Sequence, residues 1–208
     1  MKLIDLKLNE YLDILLSDAP APGGGSVSAL AGAQGAALMA MVADLTLAKE
    51  KYAQDHEICR KAREGAEALY AKLADAVDKD TEAFNLVAAA FKMPKDTEGE
   101  KAARRKAIAD GTLESTKVPF GVMELAAEGL RIAETMTGHS NPNAASDLGV
   151  GVLNLMACMK GAWLNVKINL PGVKDEALAA GYEAKGRAML AEGEEIARRL
   201  FQEIEGSL

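Results

Sequence analysis

Pro20-Ala21-Pro22-Gly23-Gly24-Gly25-Ser26 opens the stretch that decides the fold, and Val27 through Thr46 completes it. Pro20 and Pro22 fix φ and remove two backbone donors, so the chain enters through a rigid turn. Gly23, Gly24 and Gly25 carry no Cβ and allow a positive φ or the close approach of a ligand or another backbone. Ser26 is the expected N-cap, its hydroxyl placed to accept a first-turn N–H. The run behind it is built almost wholly from Ala, Gly, Val, Leu and Met. A helix with no polar face is expected to be buried on all sides. Its free first-turn N–H groups would point at whatever lies in front of it.

A chain of 208 residues can bury a sizeable core without staples. Cys59 and Cys158 show no CxxC or CxxH spacing and read as free, buried thiols in a reducing compartment. The net charge of −7 argues against a general nucleic-acid binder. Val27–Val42 is shorter than the ~20 residues a membrane span needs, and Ser28 and Gln34 dilute it. Asp5, Glu10 and Asp13 precede it and break the order of a signal peptide. The expectation is a cytoplasmic protein that spans no membrane.

Outward from this stretch, apolar residues recur at steps of three and four. Leu3 to Leu16 gives a first amphipathic helix. The central helix is expected to run from about Ser26 into Lys49–Tyr52. Asp55 to Phe91 gives a third, with Met93-Pro94 as its stop. Thr97 and Glu100 form a capping box for a fourth. Pro119 either kinks that helix or opens a fifth, which Gly138 ends. Two more follow, from near Ser146-Asp147 to Val166 and from Asp175 to Gly206. No alternating strand pattern occurs, so the expected fold is one all-α, bundle-like domain over residues 1–208, of about seven helices.

Asp80 falls near the middle of the third helix's apolar stripe, between Val77 and Phe84. A carboxylate there is costly unless paired, and burial raises its pKa toward a useful range. A structural aspartate, satisfied by backbone N–H groups or a buried Lys, is as good a reading. Asp75, Asp78, Lys72 and Lys79 lie off the stripe and read as solvated charges. Lys49 extends the Leu38–Met41–Leu45 face of the central helix. Alone it reads as a last-turn lysine that snorkels outward; with Asp80 on a neighbouring helix it makes a better pair. Gly23, Gly24, Gly25 and Ser26 match neither a Walker loop nor the Rossmann pattern, and could hold a ligand against bare backbone. Asn143, Ser146 and Asp147 sit at another helix start, where such residues are usually caps and first-turn acids. The cluster Lys101, Arg104, Arg105 and Lys106 reads first as a solvated face and second as an anchor for an acidic ligand tail. His56 and His139 are far apart, and no metal site is expected.

Five blocks together carry a family resemblance: Pro20–Ser26 with its Ala/Gly helix, Leu45–Tyr52, Asp80–Phe84, Asn143–Leu148 and Gly161–Leu170. In this order they resemble the cyclodeaminase/cyclohydrolase family, which includes the C-terminal domain of formiminotransferase-cyclodeaminase and free-standing methenyltetrahydrofolate cyclohydrolases. The resemblance covers nearly the whole chain. It implies an all-α homodimer acting on a tetrahydrofolate that carries a one-carbon unit, with no further cofactor. It implies that Lys49 and Asp80 are the catalytic pair, with the Gly23–Ser26 turn and the Asn143–Asp147 loop near the substrate. Ala48 and Glu50 depart from the family pattern, where a glycine and a basic residue are usual.

The resemblance leaves two reactions. In one, water adds to the methenyl carbon between N5 and N10 and the N5 bond breaks, giving 10-formyltetrahydrofolate. In the other, N10 attacks a formimino carbon on N5 and ammonia leaves. Asp80 would serve as base and counter-charge, and Lys49 as proton donor or electrostatic partner. The chain shows no formiminotransferase domain, which favours the cyclohydrolase. A non-catalytic helical dimer that binds a small molecule is the rival from another class. If Lys49 and the glycine turn lie at opposite ends of one helix, the turn is either structural or part of a site completed across a dimer interface.

Overall fold

The structure, a computed structural model, describes residues 2–208. Six α-helices, rather than about seven, are found among them, with no strand: α1 (Leu8–Leu16), α2 (Gly24–Leu47), α3 (His56–Phe91), α4 (Glu98–Met136), α5 (Ala145–Asn169) and α6 (Glu176–Ser207). Short 3₁₀ turns at Leu3–Asp5, Glu50–Asp55, Pro142–Ala144 and Leu170–Gly172 join them.

The missing helix boundary is at Pro119, which lies inside the unbroken α4. A proline leaves the carbonyl four residues earlier without its donor. Here that carbonyl is Ser115 O, and the Asn169 side-chain amide donates to it at 2.7 Å. A bond from the end of α5 thus replaces the one the helix lacks. The other expected ends agree more closely. Thr97 and Glu100 form the capping box at the head of α4. Gly138 follows α4 with φ of +77°, the left-handed conformation that favours glycine. Asp175 caps α6 by accepting the Leu178 N–H at 2.9 Å.

Helices α2, α3, α4 and α5 form a four-helix core, with α6 laid against α4 and α5. Met39, Leu73, Met123, Leu130, Leu155 and Met159 are fully buried at its centre. Small residues let α2 approach α5 closely: a Cβ on Gly35 would come within 2.8 Å of the Gly151 carbonyl. Contacts such as Asp44 with Arg63 and Ser26 with Asp80 show that α2 and α3 run antiparallel.

The central helix is not buried on all sides. By length and composition α2 could cross a membrane, yet it packs between α3 and α5. One ridge of it, carrying Val27, Met41 and Leu45, stays exposed. Beside it on α5, Val150, Leu153, Leu164 and Ile168 are exposed as well. Cys59 and Cys158 are free and fully buried; burial pushes the Cys158 thiol up to about 12.

Candidate active site

The head of α2 and the middle of α3 meet at Asp80. Ser26 is not the N-cap: Gly23 holds that position with extended backbone, and Ser26 is the third helical residue. The cap comes from another helix. Asp80 Oδ2 accepts the Ser26 N–H at 2.9 Å and the Ser26 hydroxyl at 3.2 Å, and that hydroxyl also lies 2.8 Å from the Val77 carbonyl, to which it can donate. An anion at a helix N-terminus meets unpaired N–H groups and the positive end of the helix dipole. With a carboxylate supplied by α3, α2 begins three residues earlier than a cap at Ser26 would set it.

Gly25 makes this contact possible. A Cβ there would stand 2.0 Å from Asp80 Oδ1, so only glycine lets the carboxylate lie on the backbone. Gly24 is under no such constraint: a Cβ there would make only ordinary contact with the Asn165 side-chain amide, at 3.4 Å. Burial pushes the Asp80 carboxyl above its ordinary value, and the two Ser26 bonds draw it part of the way back. The group therefore holds a proton more readily than an exposed aspartate does, which suits a general base.

Tyr11 of α1 joins this end and was read in sequence only as part of an amphipathic stripe. It is 4% exposed, and its hydroxyl has no hydrogen-bond partner among the described residues. Burial first, and the Asp80 charge second, push its phenol up, so it remains a donor. Asp78, expected to be solvated, is buried: it accepts the Leu3 N–H at 2.5 Å and ties the N-terminal 3₁₀ turn to α3.

The other half of the expected residues lies at the far end of α2. The helix stops at Leu47, and Lys49 stands outside it in extended backbone, exposed, rather than on its apolar stripe. Its carbonyl meets His56 Nε2 at 3.2 Å. The 139–147 loop folds onto this end through Asn141, a buried residue that caps the Pro142–Ala144 turn, as an Asn at a helix start is expected to do. The Asn141 N–H donates to Thr46 Oγ1 at 2.9 Å, and its side-chain oxygen accepts Tyr52 Oη and the Asn143 N–H, both at 3.1 Å. Asn143 and Ser146 are exposed beside it, and Asp147 in the first turn of α5 is partly buried. His139 pairs with Asp55 at 2.9 Å.

One chain therefore brings Asp80 together with Gly23, Gly24, Gly25 and Ser26, and Lys49 together with the Asn143–Asp147 loop. It does not bring the two groups together. Twenty-four residues of α2 separate them, about 36 Å at 1.5 Å per residue. No three His, Cys, Asp or Glu side chains converge as metal ligands would among the described residues. Three of the four basic residues of the α4 cluster are engaged locally: Arg104 lies over the Phe91 ring and donates to the Phe91 carbonyl, Lys101 pairs with Glu98, and Lys106 with Asp110.

Known proteins share this chain's sequence pattern and fold. A family model described as formiminotransferase-cyclodeaminase matches residues 7–188. A methenyltetrahydrofolate cyclohydrolase from Methylorubrum extorquens is 35% identical over 97% of each chain. A formimidoyltransferase-cyclodeaminase from Sus scrofa is 31% identical over 98% of this chain, which spans only 38% of that longer protein. The crystal structure of a formiminotetrahydrofolate cyclodeaminase from Thermotoga maritima superposes with a TM-score of 0.82 at 28% identity, covering 100% of this chain and 98% of the other.

Proposed function

The chain belongs to the formiminotransferase-cyclodeaminase family, and from that premise we propose that it is a cytoplasmic methenyltetrahydrofolate cyclohydrolase, working as a homodimer without a further cofactor. A cyclohydrolase and a cyclodeaminase both match it end to end, and the higher identity to the cyclohydrolase, 35% against 28%, supports that reaction over the deamination. The observation that carries the mechanism is a partly buried carboxylate with raised proton affinity, set on the bare backbone of a helix N-terminus.

The substrate's methenyl carbon is a cationic amidine carbon, and Asp80 is its counter-charge. Water attacks that carbon as Asp80 takes one of its protons, and a neutral hydroxyl adduct forms. The adduct's remaining O–H proton leaves, N5 takes up a proton, and the carbon–N5 bond breaks. The products are 10-formyltetrahydrofolate and one net proton. Lys49 supplies the proton to N5 or holds the developing charge.

Lys49 and Asp80 lie too far apart within one chain to share a substrate, so the reading requires a partner. A two-fold dimer that packs α2 antiparallel on its copy sets the head of one α2 against the tail of the other. The exposed apolar ridge on α2 and α5 supplies the contact surface. Each of two sites then takes Asp80 and the glycine turn from one protomer, with Lys49 and the Asn143–Asp147 loop from its partner.

Methenyltetrahydrofolate and formiminotetrahydrofolate, supplied separately, test the reaction. The expected result is loss of the methenyl absorbance in the first case and no change in the second. Appearance of the methenyl absorbance with release of ammonia in the second case assigns the cyclodeaminase instead.

A further inference from the structure

Helix α1 carries a stripe of leucines that its own protomer leaves uncovered. Leu8, Leu12 and Leu16 are 66%, 51% and 87% exposed, while Tyr11, about 100° round the helix from the middle of that stripe, is buried, and Leu8 also edges the small cavity that Tyr11 lines. The three recur every four residues, one above another on one face, over about 12 Å. An apolar stripe of this kind on a soluble chain marks a contact surface.

The place for it is on the same molecule. A groove runs between α2 and α3. At the head of α2 the chain fills the groove with its own N-terminal segment, where Leu3 and Tyr11 pack beside Leu30 and Val77. Toward the tail of α2 the groove is open, with a volume of about 530 Å³. Its α2 wall presents Ala37, Met41 and Leu45, again at every fourth residue and again over about 12 Å. The two stripes match in chemistry, spacing and length.

Symmetry brings them together. A two-fold that packs α2 face to face with an antiparallel copy reverses direction along the helix. It keeps the α3 side of one protomer against the α3 side of the other. The filled end of each groove then lies against the open end of the partner's groove, and α1 faces it.

We propose that α1 of each protomer straps across the dimer, laying Leu8, Leu12 and Leu16 into the open half of the partner's α2/α3 groove against the partner's Ala37, Met41 and Leu45. The proposal rests on the antiparallel dimer described above. It gives α1 two faces with two tasks: the leucines hold the partner, and Tyr11 is held beside Asp80. Assembly and the order of the site become one event.

Cross-linking between chains tests this. Leu12→Cys and Met41→Cys are made in separate chains, which are mixed, allowed to exchange subunits and oxidised with copper phenanthroline. Both positions are exposed, so neither change disturbs the core, and the native thiols are buried. The expected product is a covalent heterodimer on a non-reducing gel. Gln34→Cys, exposed near the midpoint of α2, is the control: next to the two-fold axis it cross-links to its own copy. A Gln34→Cys product without a 12–41 product overturns the strap and leaves the dimer standing. A monomer by light scattering overturns the dimer, and the strap with it.

Discussion

Asp80 serves two ends that pull in opposite directions. As the cap of α2 it benefits from being charged; as a buried group near an apolar stripe it is penalised for it. Burial wins, since its proton affinity is raised despite two bonds from Ser26. A carboxyl of the unfolded chain titrates near 3.9, and in the folded state the value is higher. The native state therefore binds the proton more tightly, and stability falls as pH rises from about 3.9 through the raised value. Asp80→Asn keeps an oxygen for the Ser26 N–H and carries no charge. The expected variant is folded and within about 1 kcal/mol of the parent, or above it, at pH 7. Its stability lacks the fall seen in the parent as pH rises through that window, as urea melts over a pH series would show. Its turnover of methenyltetrahydrofolate is lost by about a hundredfold or more. Wild-type turnover in a folded Asp80→Asn protein sinks the assignment. In the parent, kcat/KM rises with pH as Asp80 loses its proton, with its midpoint above the usual aspartate range; a midpoint at or below that range removes Asp80 as the base.

At the scale of elements, the same kind of long-range bond explains where local sequence reading succeeded and failed. Asp80 was legible because a carboxylate in an apolar stripe breaks a periodicity, and periodicity is local. The capping box at Thr97 and the glycine stop at Gly138 are local too, and both appear as expected. Ser26 was misassigned because its cap comes from Asp80, 54 residues away. At Pro119 the sequence leaves a kink and a new helix equally open, because the compensating donor, Asn169, lies on another helix. Lys49 was placed on the stripe of α2 by extending the helix, whereas the chain leaves it at Ala48 and turns through Glu50–Asp55. Asn141 is legible as a cap at a polar helix start, but its bonds to Thr46 and Tyr52 are long-range and leave no local signal. Asn169→Leu should orphan the Ser115 carbonyl and cost about 1–3 kcal/mol. Adding Pro119→Ala restores an N–H at the position that carbonyl needs. Most of the loss should then return, a coupling that a double-mutant cycle by thermal or urea denaturation measures. A cycle with no coupling removes the Asn169–Ser115 bond as the reason α4 runs through its proline.

For the whole molecule, the decisive feature is the length of α2. It holds the two groups of site residues about 36 Å apart, and the fold within one chain has no way to shorten that distance. A shared site predicts complementation. Lys49→Gln and Asp80→Asn are each inactive as homodimers, but a heterodimer of the two has one site with both native residues. Random exchange at equal amounts makes half the dimers mixed, each with one of its two sites intact. The expected recovery is about a quarter of parental turnover. No recovery in a sample shown by light scattering to have exchanged subunits argues that Lys49 and Asp80 do not share a site. The exposed ridge of α2 and α5 then needs another explanation. The same scale accounts for what composition could and could not reveal. An Ala/Gly-rich helix announces close packing, and the Gly35–Gly151 crossing delivers it on the α5 side. The open ridge with Val27, Met41 and Leu45 is also apolar, so sequence could not separate a face buried within the chain from one left for a partner.

The carboxylate at the head of α2 pins the helix to α3, and the proposed reaction would loosen that pin. With Asp80 as the proposed base, each proton it accepts from the attacking water would leave the Ser26 N–H facing a neutral acid in place of an anion, and the first turn of the central helix would lose part of its electrostatic grip. Release of that proton restores it. The turn at Gly23–Ser26 would thus slacken and tighten once per catalytic cycle, in step with chemistry rather than with substrate entry, and the Ser26 amide would report it as faster hydrogen exchange under turnover than at rest.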